Sequence, residues 1–260
     1  MKKKISKTKS AKVPTSFEHL AELWDSKTLD AGNQSDNGNL AAIQKFLGNV
    51  KGKCIYEIAC GNGYLSRKIM RAGAKEVYAS DASPTLVGFA TDKYDRMGIN
   101  YSVREGTDFT KIPKGHFDAV VIHQGIFYLK DIPKLMKGVR SILKPNGILM
   151  FTLTHPLFPV FMAEIGQLPT EGPDSLVPRS RKYPTNYTKQ VNKKWITNGK
   201  PTSVRYIQYS RPLEYYINQC VDAGLLIGGI KETPSKTRGK NLKIVTSPIP
   251  SSYVIKAVKI

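Results

Sequence analysis

The sequence predicts an α/β fold in which helices cover both faces of a seven-stranded, mostly parallel sheet. The first observation is that strand-like and helix-like segments alternate at short intervals from Cys54 to Thr154, which is typical of βαβ units. The second is that segments such as Phe117–His123 are almost continuously apolar, as expected for strands buried on both faces. The third is size, because 260 residues, 40% of them hydrophobic, fit one large domain or one domain with an insertion.

Three segments precede this alternation. Residues 1–13 contain six lysines and no apolar stretch, so we interpret them as a disordered, solubilising tail and not as a secretory signal. A nucleic-acid-binding arm is the alternative interpretation of this tail. Phe17–Trp24 carries apolar residues at helical spacing, and Leu40–Leu47 repeats that spacing until Gly48. The polar stretch Asp30–Asn39 is predicted to form a loop between these two helices.

The alternating region supplies five strands and three connecting helices. Ser83 suits the N-cap of the second helix, and Pro84 suits its first position. The third helix is predicted to end at the turn sequence Lys144-Pro145-Asn146-Gly147. The predicted strands are Cys54–Ala59, Val77–Ser80, Asn100–Glu105, Phe117–His123 and Ile148–Thr154, and the helices are Tyr64–Ala72, Ser83–Arg96 and Ile132–Leu143.

The regular alternation stops between His155 and Arg211. Six prolines between Pro156 and Pro184 are followed by a predicted β-hairpin with an Asn198-Gly199 turn. Insertions of this length in α/β domains usually form lids or substrate walls. A helix at Pro212–Ala223 and strands at Leu225–Lys231 and Ser252–Val258, with a basic loop between these strands, then complete the fold. We therefore expect a tail (1–13) and a single domain (14–260), divided into a helical cap (14–48), a core (50–154), a lid insertion (155–211) and a final helix with two strands (212–260).

Composition limits the cellular context. Forty Lys and Arg against twenty Asp and Glu leave a net charge of +20, which attracts anions, nucleic acid among them. No run approaches the roughly 20 apolar residues of a membrane span. Cys54, Cys60 and Cys220 are odd in number and widely spaced, and they match no metal-ligand or disulfide pattern. We therefore expect a cytoplasmic protein with no metal site and no membrane contact.

A glycine pair follows the first predicted strand, where ligands of parallel α/β sheets bind. Gly61 and Gly63 allow the backbone to approach a ligand closely, and the next helix offers free N–H groups. A dinucleotide fingerprint has glycine or alanine three residues after its second glycine, and Ser66 at this position is a poor match. Glu57, inside the strand end, would repel a pyrophosphate but would suit a ligand that carries a positive amine.

Acidic residues end or follow the next two strands. Asp81, at the end of the second strand, is suited to accept hydrogen bonds from both hydroxyls of a ribose. Asp108 and Phe109 follow the third strand, where they are suited to bind the amino group of an adenine and to cover its ring. Together with Glu57, these residues predict a site for an adenosine with an amino-acid end and without phosphates.

These motifs resemble those of the class I S-adenosylmethionine-dependent methyltransferases. The stretch Glu57-Ile58-Ala59-Cys60-Gly61-Asn62-Gly63 resembles the first motif of that family, although Ala59 stands where the family often has glycine. The segments Asp81-Ala82-Ser83, Asp108-Phe109, Phe117–Val121 and Leu143–Leu149 resemble the later motifs, in order and at the family's spacing. The resemblance covers about Val50–Thr154, and it implies a Rossmann-like sheet, S-adenosyl-L-methionine as the cofactor, and methyl transfer.

The resemblance also implies the cofactor contacts. Glu57 would orient the amino-acid end, Asp81 would bind the ribose, and Asp108 would meet the adenine amino group. For Glu57 and Asp81, the alternative is a solvated strand end. The loop Asp30–Asn39 resembles the family's mobile gate, so we expect it to close over the cofactor. The predicted cofactor-binding residues are Trp24, Glu57, Ala59, Cys60, Gly61, Gly63, Asp81, Ala82, Asp108, Phe109 and His123.

Methyl transfer asks little of the protein chemically. Alignment of nucleophile, methyl and sulfur is the main requirement, and a base is needed only if the nucleophile arrives protonated. His123 and His155 each end a predicted strand and are the candidate bases. The alternative for both is a histidine satisfied by backbone hydrogen bonds. Tyr128 is a further candidate in the cleft, with core packing as its alternative.

The acceptor is predicted to be a small molecule. Enzymes that methylate base amines resemble one another in an Asn/Asp-Pro-Pro-Tyr/Phe motif, but this chain has His123-Gln124-Gly125-Ile126 there. From Ser175 to Leu213 there are nine basic residues, several aromatic ones and no acidic one, which suits an anionic small substrate or, as a weaker alternative, nucleic acid. A solvated basic hairpin is the third interpretation. The predicted substrate residues are Tyr128, His155, Arg179, Arg205, Tyr206 and Arg211.

The working hypothesis from the sequence is methyl transfer to an oxygen or nitrogen atom of a small molecule, for which an anionic group is one option. The first alternative is an RNA methyltransferase that uses the basic lid and tail. The second is a cofactor-binding accessory protein without turnover, since no single residue is a compulsory catalyst.

Overall fold

The computed structural model describes residues 17–28, 37–94, 97–156, 187–197, 200–234, 236–238, 244–246 and 250–260. The predicted tail and most of the loop predicted at Asp30–Asn39 lie outside these ranges, so they remain predictions. None of the described helices is both long and apolar enough to cross a lipid bilayer.

Eleven strands are described, and seven of them form one sheet. They are β1 (Cys54–Ile58), β2 (Glu76–Asp81), β3 (Asn100–Val103), β4 (Phe117–Ile122), β5 (Leu143–Thr154), β6 (Tyr187–Thr197), β7 (Lys200–Ser210), β8 (Leu225–Thr233), β9 (Lys236–Arg238), β10 (Ile244–Thr246) and β11 (Ser252–Lys259). The main sheet has the order β3-β2-β1-β4-β5-β11-β8. Within this sheet, β11 is the one strand that is antiparallel to the other six. The predicted seven-stranded, mostly parallel sheet is therefore confirmed.

The described helices connect or cover these strands. They are α1 (Ala21–Thr28), α2 (Asn37–Leu47), α3 (Tyr64–Arg71), α4 (Pro84–Gly88), α5 (Ile132–Ile142) and α6 (Leu213–Asp222). A π-helical turn, Phe89–Tyr94, continues α4, and 3₁₀ turns at Glu18–Leu20 and Ile126–Tyr128 precede α1 and α5. The predicted cap of α4 is confirmed, because the Ser83 side chain accepts a hydrogen bond from Leu86 N at 3.1 Å and Pro84 follows it.

Both faces of the sheet are buried, and adjacent residues of one strand belong to different cores. Tyr56 and Ile58 of β1 pack into a cluster with α5 and with Tyr216 of α6. Ile55, between them in the chain, packs on the other face with α2 residues such as Ile43. This burial on both faces is the reason that the parallel strands are almost continuously apolar.

Strand β5 begins earlier than predicted. Leu143 pairs with Phe117, and the next described pairing joins Ile148 to Ala119, so residues 144–147 form an excursion within the strand. Asn146 has a left-handed φ of 61°, which asparagine tolerates better than most residues. The turn sequence was thus identified correctly, but it interrupts a strand and does not precede one.

The insertion contributes a hairpin near the carboxyl end of β4. Strands β6 and β7 pair with Thr197 opposite Lys200, as the Asn-Gly signal predicted, although residues 198–199 lie outside the described part. Strand β7 runs beside the Ile126–Tyr128 turn that follows β4. A second small hairpin, β9 with β10, occupies part of the segment predicted as a basic loop.

Candidate functional site

A turn of left-handed residues lies at the carboxyl end of β1. Ala59, Gly61 and Gly63 have φ values of 57°, 56° and 75°. A Cβ on Gly63 would lie 2.3 Å from Tyr101 Oη, so glycine is required there for space as well as for conformation. Gly63 then starts α3, whose first N–H groups point into the same region.

Asp81, at the end of β2, holds this turn in place. One of its carboxylate oxygens accepts a hydrogen bond from Gly61 N at 2.9 Å, and the other accepts one from Ser83 N at 3.0 Å. Burial raises the pKa of Asp81, while these backbone N–H groups and that of Ala82 lower it. A carboxylate has about four lone-pair sites, and these three N–H groups use three of them, so Asp81 is able to accept one more donor, such as a hydroxyl of a diol.

Glu57 is buried beneath the turn, with an exposed fraction of 2%. The Ser66 hydroxyl of α3 donates a hydrogen bond to Glu57 Oε2. Burial raises the pKa of Glu57 to about 8, although the bonds from Ser66 oppose the shift. A solvated strand end, the alternative interpretation from the sequence, is therefore wrong for Glu57, and Ser66 is the direct partner of this acid.

Residues 17–28, the first described part of the predicted helical cap, lie across the turn. From here on, "the cap" means these residues. Asn62 Nδ2 donates to Asp25 Oδ1 at 2.8 Å, and both side chains are buried. A Cβ built on Gly61 would lie 3.6 Å from Trp24 Nε1, which places the indole directly on the turn. The structure thus brings Trp24 to the predicted site.

The cap is also joined to the loops after β2 and β4. Glu18 accepts hydrogen bonds from the hydroxyls of Ser83 and Thr85, and from Thr85 N at 3.2 Å. The Phe17 ring contacts the Tyr128 ring, with centroids 4.5 Å apart. Sequence reasoning missed Glu18, Asp25 and Asn62 as site residues, because no local pattern connects a helix of the cap to turns so far along the chain.

The loop after β3 places Asp108 and Phe109 differently. Asp108 accepts hydrogen bonds from Thr110 N at 2.9 Å and from Arg104 Nη1 at 3.1 Å, and its side chain remains 46% exposed. The Thr110 hydrogen bonds, together with the Arg104 charge, lower its pKa. Phe109 fills a notch in α5, since a Cβ on Gly138 would lie 2.1 Å from its ring. Their adenine contacts remain predictions.

The loop after β4 lies against the glycine turn. A Cβ on Gly125 would lie 2.5 Å from the Ala59 Cβ, so these two loops touch. Gln124 has a left-handed φ of 52°, and its N–H donates to Thr152 Oγ1 at 2.6 Å. The same hydroxyl lies 3.4 Å from His123 Nδ1, which fixes one side of the imidazole. His123 is therefore held beside the turn.

His155 has a packed environment. It is 5% exposed, its ring lies 4.6 Å from the Tyr253 ring, and its Nε2 lies 3.6 Å from Glu232 Oε1. These contacts point toward β8 and β11, on the far side of β5 from His123. Such packing agrees with the structural alternative for His155, and its role as a base or substrate contact remains a prediction.

The other predicted substrate residues divide into three groups. Tyr128 packs beneath the cap, against Phe17 and Phe127. Arg211 donates to Leu129 O at 3.1 Å and to Lys130 O at 2.6 Å, so it ties the end of the insertion to the loop after β4. Arg179 lies outside the described residues, and for Arg205 and Tyr206 only the backbone, within β7, is described.

Cys60 completes the predicted turn. It is buried, and its thiol donates to Gly61 O at 3.6 Å. Burial raises the pKa of this thiol well above its ordinary range, which favours the neutral thiol, and the contact of Cys60 with the cofactor remains a prediction.

Comparison with known proteins agrees with this geometry. Residues 56–151 match the family model described as "Methyltransferase domain". A malonyl-[acyl-carrier protein] O-methyltransferase of Magnetococcus marinus is 33% identical over 100 residues, which cover 37% of this chain and 36% of that protein. The chain spans between about a third and a half of the length of the curated relatives it matches.

Two solved structures show the same fold over nearly the whole chain. A putative S-adenosylmethionine-dependent methyltransferase from Listeria monocytogenes is 20% identical with a TM-score of 0.62, covering 86% of this chain and 98% of that one. Magnesium protoporphyrin IX methyltransferase from Synechocystis PCC 6803, solved with bound SAH, is 17% identical with a TM-score of 0.58, covering 94% and 96% of the two chains. At this level of identity the likeness establishes the fold.

The left-handed conformation of Ala59 generates a stability prediction. A non-glycine residue at φ 57° costs about 1–2 kcal/mol, and glycine's greater freedom in the unfolded chain offsets part of that gain, so Ala59→Gly should stabilise the fold by up to about 1 kcal/mol. The matched control is Ala79→Gly, which removes the same methyl group from a fully buried position within β2 and should destabilise the protein. Urea unfolding of both variants would measure the difference, and an equal loss in both would contradict the prediction.

The raised pKa of Glu57 generates a pH prediction for the cofactor-free protein. The neutral acid is favoured in the fold, so the stability it contributes is present below about pH 4.5 and is lost as the pH rises through about 8. Glu57→Gln should remove this dependence and exceed the wild type in unfolding free energy by a few kcal/mol at pH 9. Glu18→Gln is the control. Hydrogen bonds from Ser83 and Thr85 lower the pKa of Glu18, so this substitution should lower the unfolding free energy at pH 9 and not raise it. If the unfolding free energies of the wild type and Glu57→Gln changed equally with pH between 5 and 9, the buried-acid interpretation would be contradicted.

Proposed function

We infer that this chain, whose residues 56–151 match a methyltransferase-domain model, is a class I S-adenosylmethionine-dependent methyltransferase that transfers the methyl group of S-adenosyl-L-methionine to a small-molecule acceptor. The observation that carries this proposal is the pair of acids on two sides of the glycine turn. Asp81 offers a free lone pair for a ribose hydroxyl, and Glu57 lies buried beneath the turn where it would meet an ammonium group. A ligand with phosphates would be repelled by the Asp81 carboxylate, and it would offer the neutral Glu57 acid no cation to pair with.

The site residues fit this cofactor. The left-handed turn presents half-buried backbone without a Cβ at Gly61, where a ligand would approach it, whereas the Tyr101 side chain occupies the space beside Gly63. Glu57 would hold the ammonium, directly or through water, and would ionise as it does so. Asp81 would hold the ribose, with Ala82 beside it, while Asp108 and Phe109 would border the adenine. When bound, the cofactor supplies a methyl group that its sulfonium has already activated.

The protein's own contribution is alignment and exclusion of water. The cap is fastened to the loops after β1, β2 and β4, so Trp24 and Phe17 would close the cofactor end of the cleft. His123, held by Thr152 beside the turn, is the residue best placed to face the reacting centre. It would act as a base only toward an acceptor that arrives protonated.

The acceptor side of the cleft is formed by the insertion. Strand β7 runs beside the turn that carries Tyr128, and Arg211 fastens this region to the loop after β4. The basic surplus from Ser175 to Leu213 favours an anionic acceptor. The relative from Magnetococcus marinus is named as an O-methyltransferase, which supports oxygen as the accepting atom.

Cofactor binding gives a direct test of the site. Asp81→Ala should weaken S-adenosylhomocysteine binding by about 100-fold or more in calorimetry, because it removes a hydrogen bond to a charged acceptor, worth about 1.5–3 kcal/mol, together with the Gly61 contact that holds the turn. Asp81→Asn keeps one acceptor oxygen and should bind S-adenosylhomocysteine roughly tenfold more weakly than the wild type does. Asp92→Asn, an exposed acid on the π-helical turn, is the matched control and should bind as the wild type does. Wild-type affinity in a folded Asp81→Ala variant would contradict the assignment.

Methyl transfer itself would be tested with tritium-labelled S-adenosyl-L-methionine. The purified protein would be incubated separately with a small-metabolite extract and with cellular RNA, and label should appear in the metabolite fraction alone. Asp81→Ala should abolish that label. Label in RNA alone would overturn the small-molecule assignment and would favour an RNA methyltransferase that uses the basic lid and tail. Cofactor binding without label in either fraction would favour an accessory role.

A further inference from the structure

Three side chains with metal-binding chemistry meet at the edge of the sheet opposite the cleft. Cys54 is the first residue of β1, Glu76 is the first residue of β2, and His116 immediately precedes β4. These strands are neighbours in the order β2-β1-β4, and Cys54 pairs directly with Glu76. One ligand atom of each residue lies within 4.8 Å of those of the other two.

The three side chains already share hydrogen bonds. His116 Nε2 lies 2.7 Å from Glu76 Oε2, and the Cys54 thiol is also hydrogen-bonded to the Glu76 carboxylate. The imidazole is oriented by two aromatic neighbours, with its centroid 5.0 Å from the Phe117 ring and 6.2 Å from the Tyr78 ring. The cluster is thus assembled and oriented by packing, which is what a preformed ligand set requires.

The cluster is buried at its sulfur and partly exposed at its other two side chains. Cys54 is 6% exposed, whereas the side chains of His116 and Glu76 are 35% and 34% exposed. An ion would therefore enter past the imidazole and the carboxylate to reach the sulfur. Such an entry path is a feature of a functional metal site.

The neighbouring charges set the electrostatic balance. Asp118 accepts hydrogen bonds from Cys54 N and from Lys144 Nζ, each at 2.8 Å, so it fixes the cysteine backbone and is itself neutralised. Lys53 and Lys75 lie close enough to act on these acids and oppose the entry of a cation. An ion that binds here must gain more free energy from its bond to the Cys54 thiolate than it loses through repulsion by these lysines. Hard cations bind thiolates weakly and do not meet this condition.

The donor set identifies the class of ion. Magnesium and calcium prefer oxygen ligands alone, whereas zinc takes thiolate, imidazole and carboxylate in a tetrahedral arrangement. Ligand atoms around zinc are about 3.4–3.8 Å apart, so the present cluster needs only side-chain adjustments of about 1 Å. We propose that Cys54, Glu76 and His116 form a site for a zinc-class divalent cation, with a fourth position left to water.

The site would bridge the starts of three central strands. It lies at the amino ends of β1 and β2, whereas Gly61 follows the carboxyl end of β1 and Asp81 is the last residue of β2. Its effect is therefore on the stability of the sheet and not on the methyl-transfer cleft. The proposal is independent of the proposed function.

The test uses the full chain with zinc chloride alone, measured by competition with a chromophoric chelator. Zinc should bind with one-to-one stoichiometry, and Glu76→Gln and His116→Gln should each weaken it by at least about tenfold. At zinc concentrations about 100 times Kd, the wild-type Tm should rise by roughly 5–10 °C. Cobalt(II) should produce a thiolate charge-transfer band that Cys54→Ala removes.

The control variant is Cys220→Ser, which removes a buried thiol on α6 and should leave zinc affinity and the cobalt band unchanged. Because Glu76 and His116 are half-exposed, their variants should fold and still bind S-adenosylhomocysteine as the wild type does. Equal zinc affinity in the wild type, Glu76→Gln and His116→Gln would overturn the proposal. Absence of the cobalt band in the wild type would do so as well.

Discussion

The hydrogen bond from Gly61 N to the Asp81 carboxylate is the contact on which the candidate site depends. Strands β1 and β2 pair with Ile58 opposite Ser80, so the sheet itself places Asp81, the last residue of β2, beside the turn that follows β1. The same side chain holds Ser83 N at the start of α4. One carboxylate therefore fixes two loops, and this fixation allows Ala59 to retain a left-handed conformation that it would otherwise avoid.

The charge of the whole chain is a poor guide to the charge of this site. The net charge is +20, yet the residues that surround the turn include Glu18, Asp25, Glu57 and Asp81. A cationic sulfonium amino acid suits such surroundings, whereas the basic surplus lies in the tail and in the insertion. The two regions thus have opposite electrostatic preferences, one for a cationic cofactor and the other for an anionic partner.

The parallel sheet also explains why two unrelated groups of residues form at its two edges. Carboxyl ends of neighbouring strands share one edge, which collects Glu57, Asp81 and His123, while amino ends share the other, which collects Cys54, Glu76 and His116. The sequence predicted the first group because a glycine turn marks it. It predicted no metal site, because ligands on three separate strands produce no local spacing pattern.

The sequence by itself determined the seven strands of the main sheet, most of the helices and the glycine turn, although not the early start of β5 or the β9–β10 hairpin, since burial on both faces, capping residues and left-handed glycines are local requirements that leave local signals. It also placed the Asn-Gly hairpin and the cap of α4 correctly. Only the tertiary structure decided that Ser66 is the partner of Glu57, that Asp25 and Glu18 fasten the cap, and that Phe109 fills the notch at Gly138. These contacts join residues distant in sequence, so their cause is the packing of one element on another.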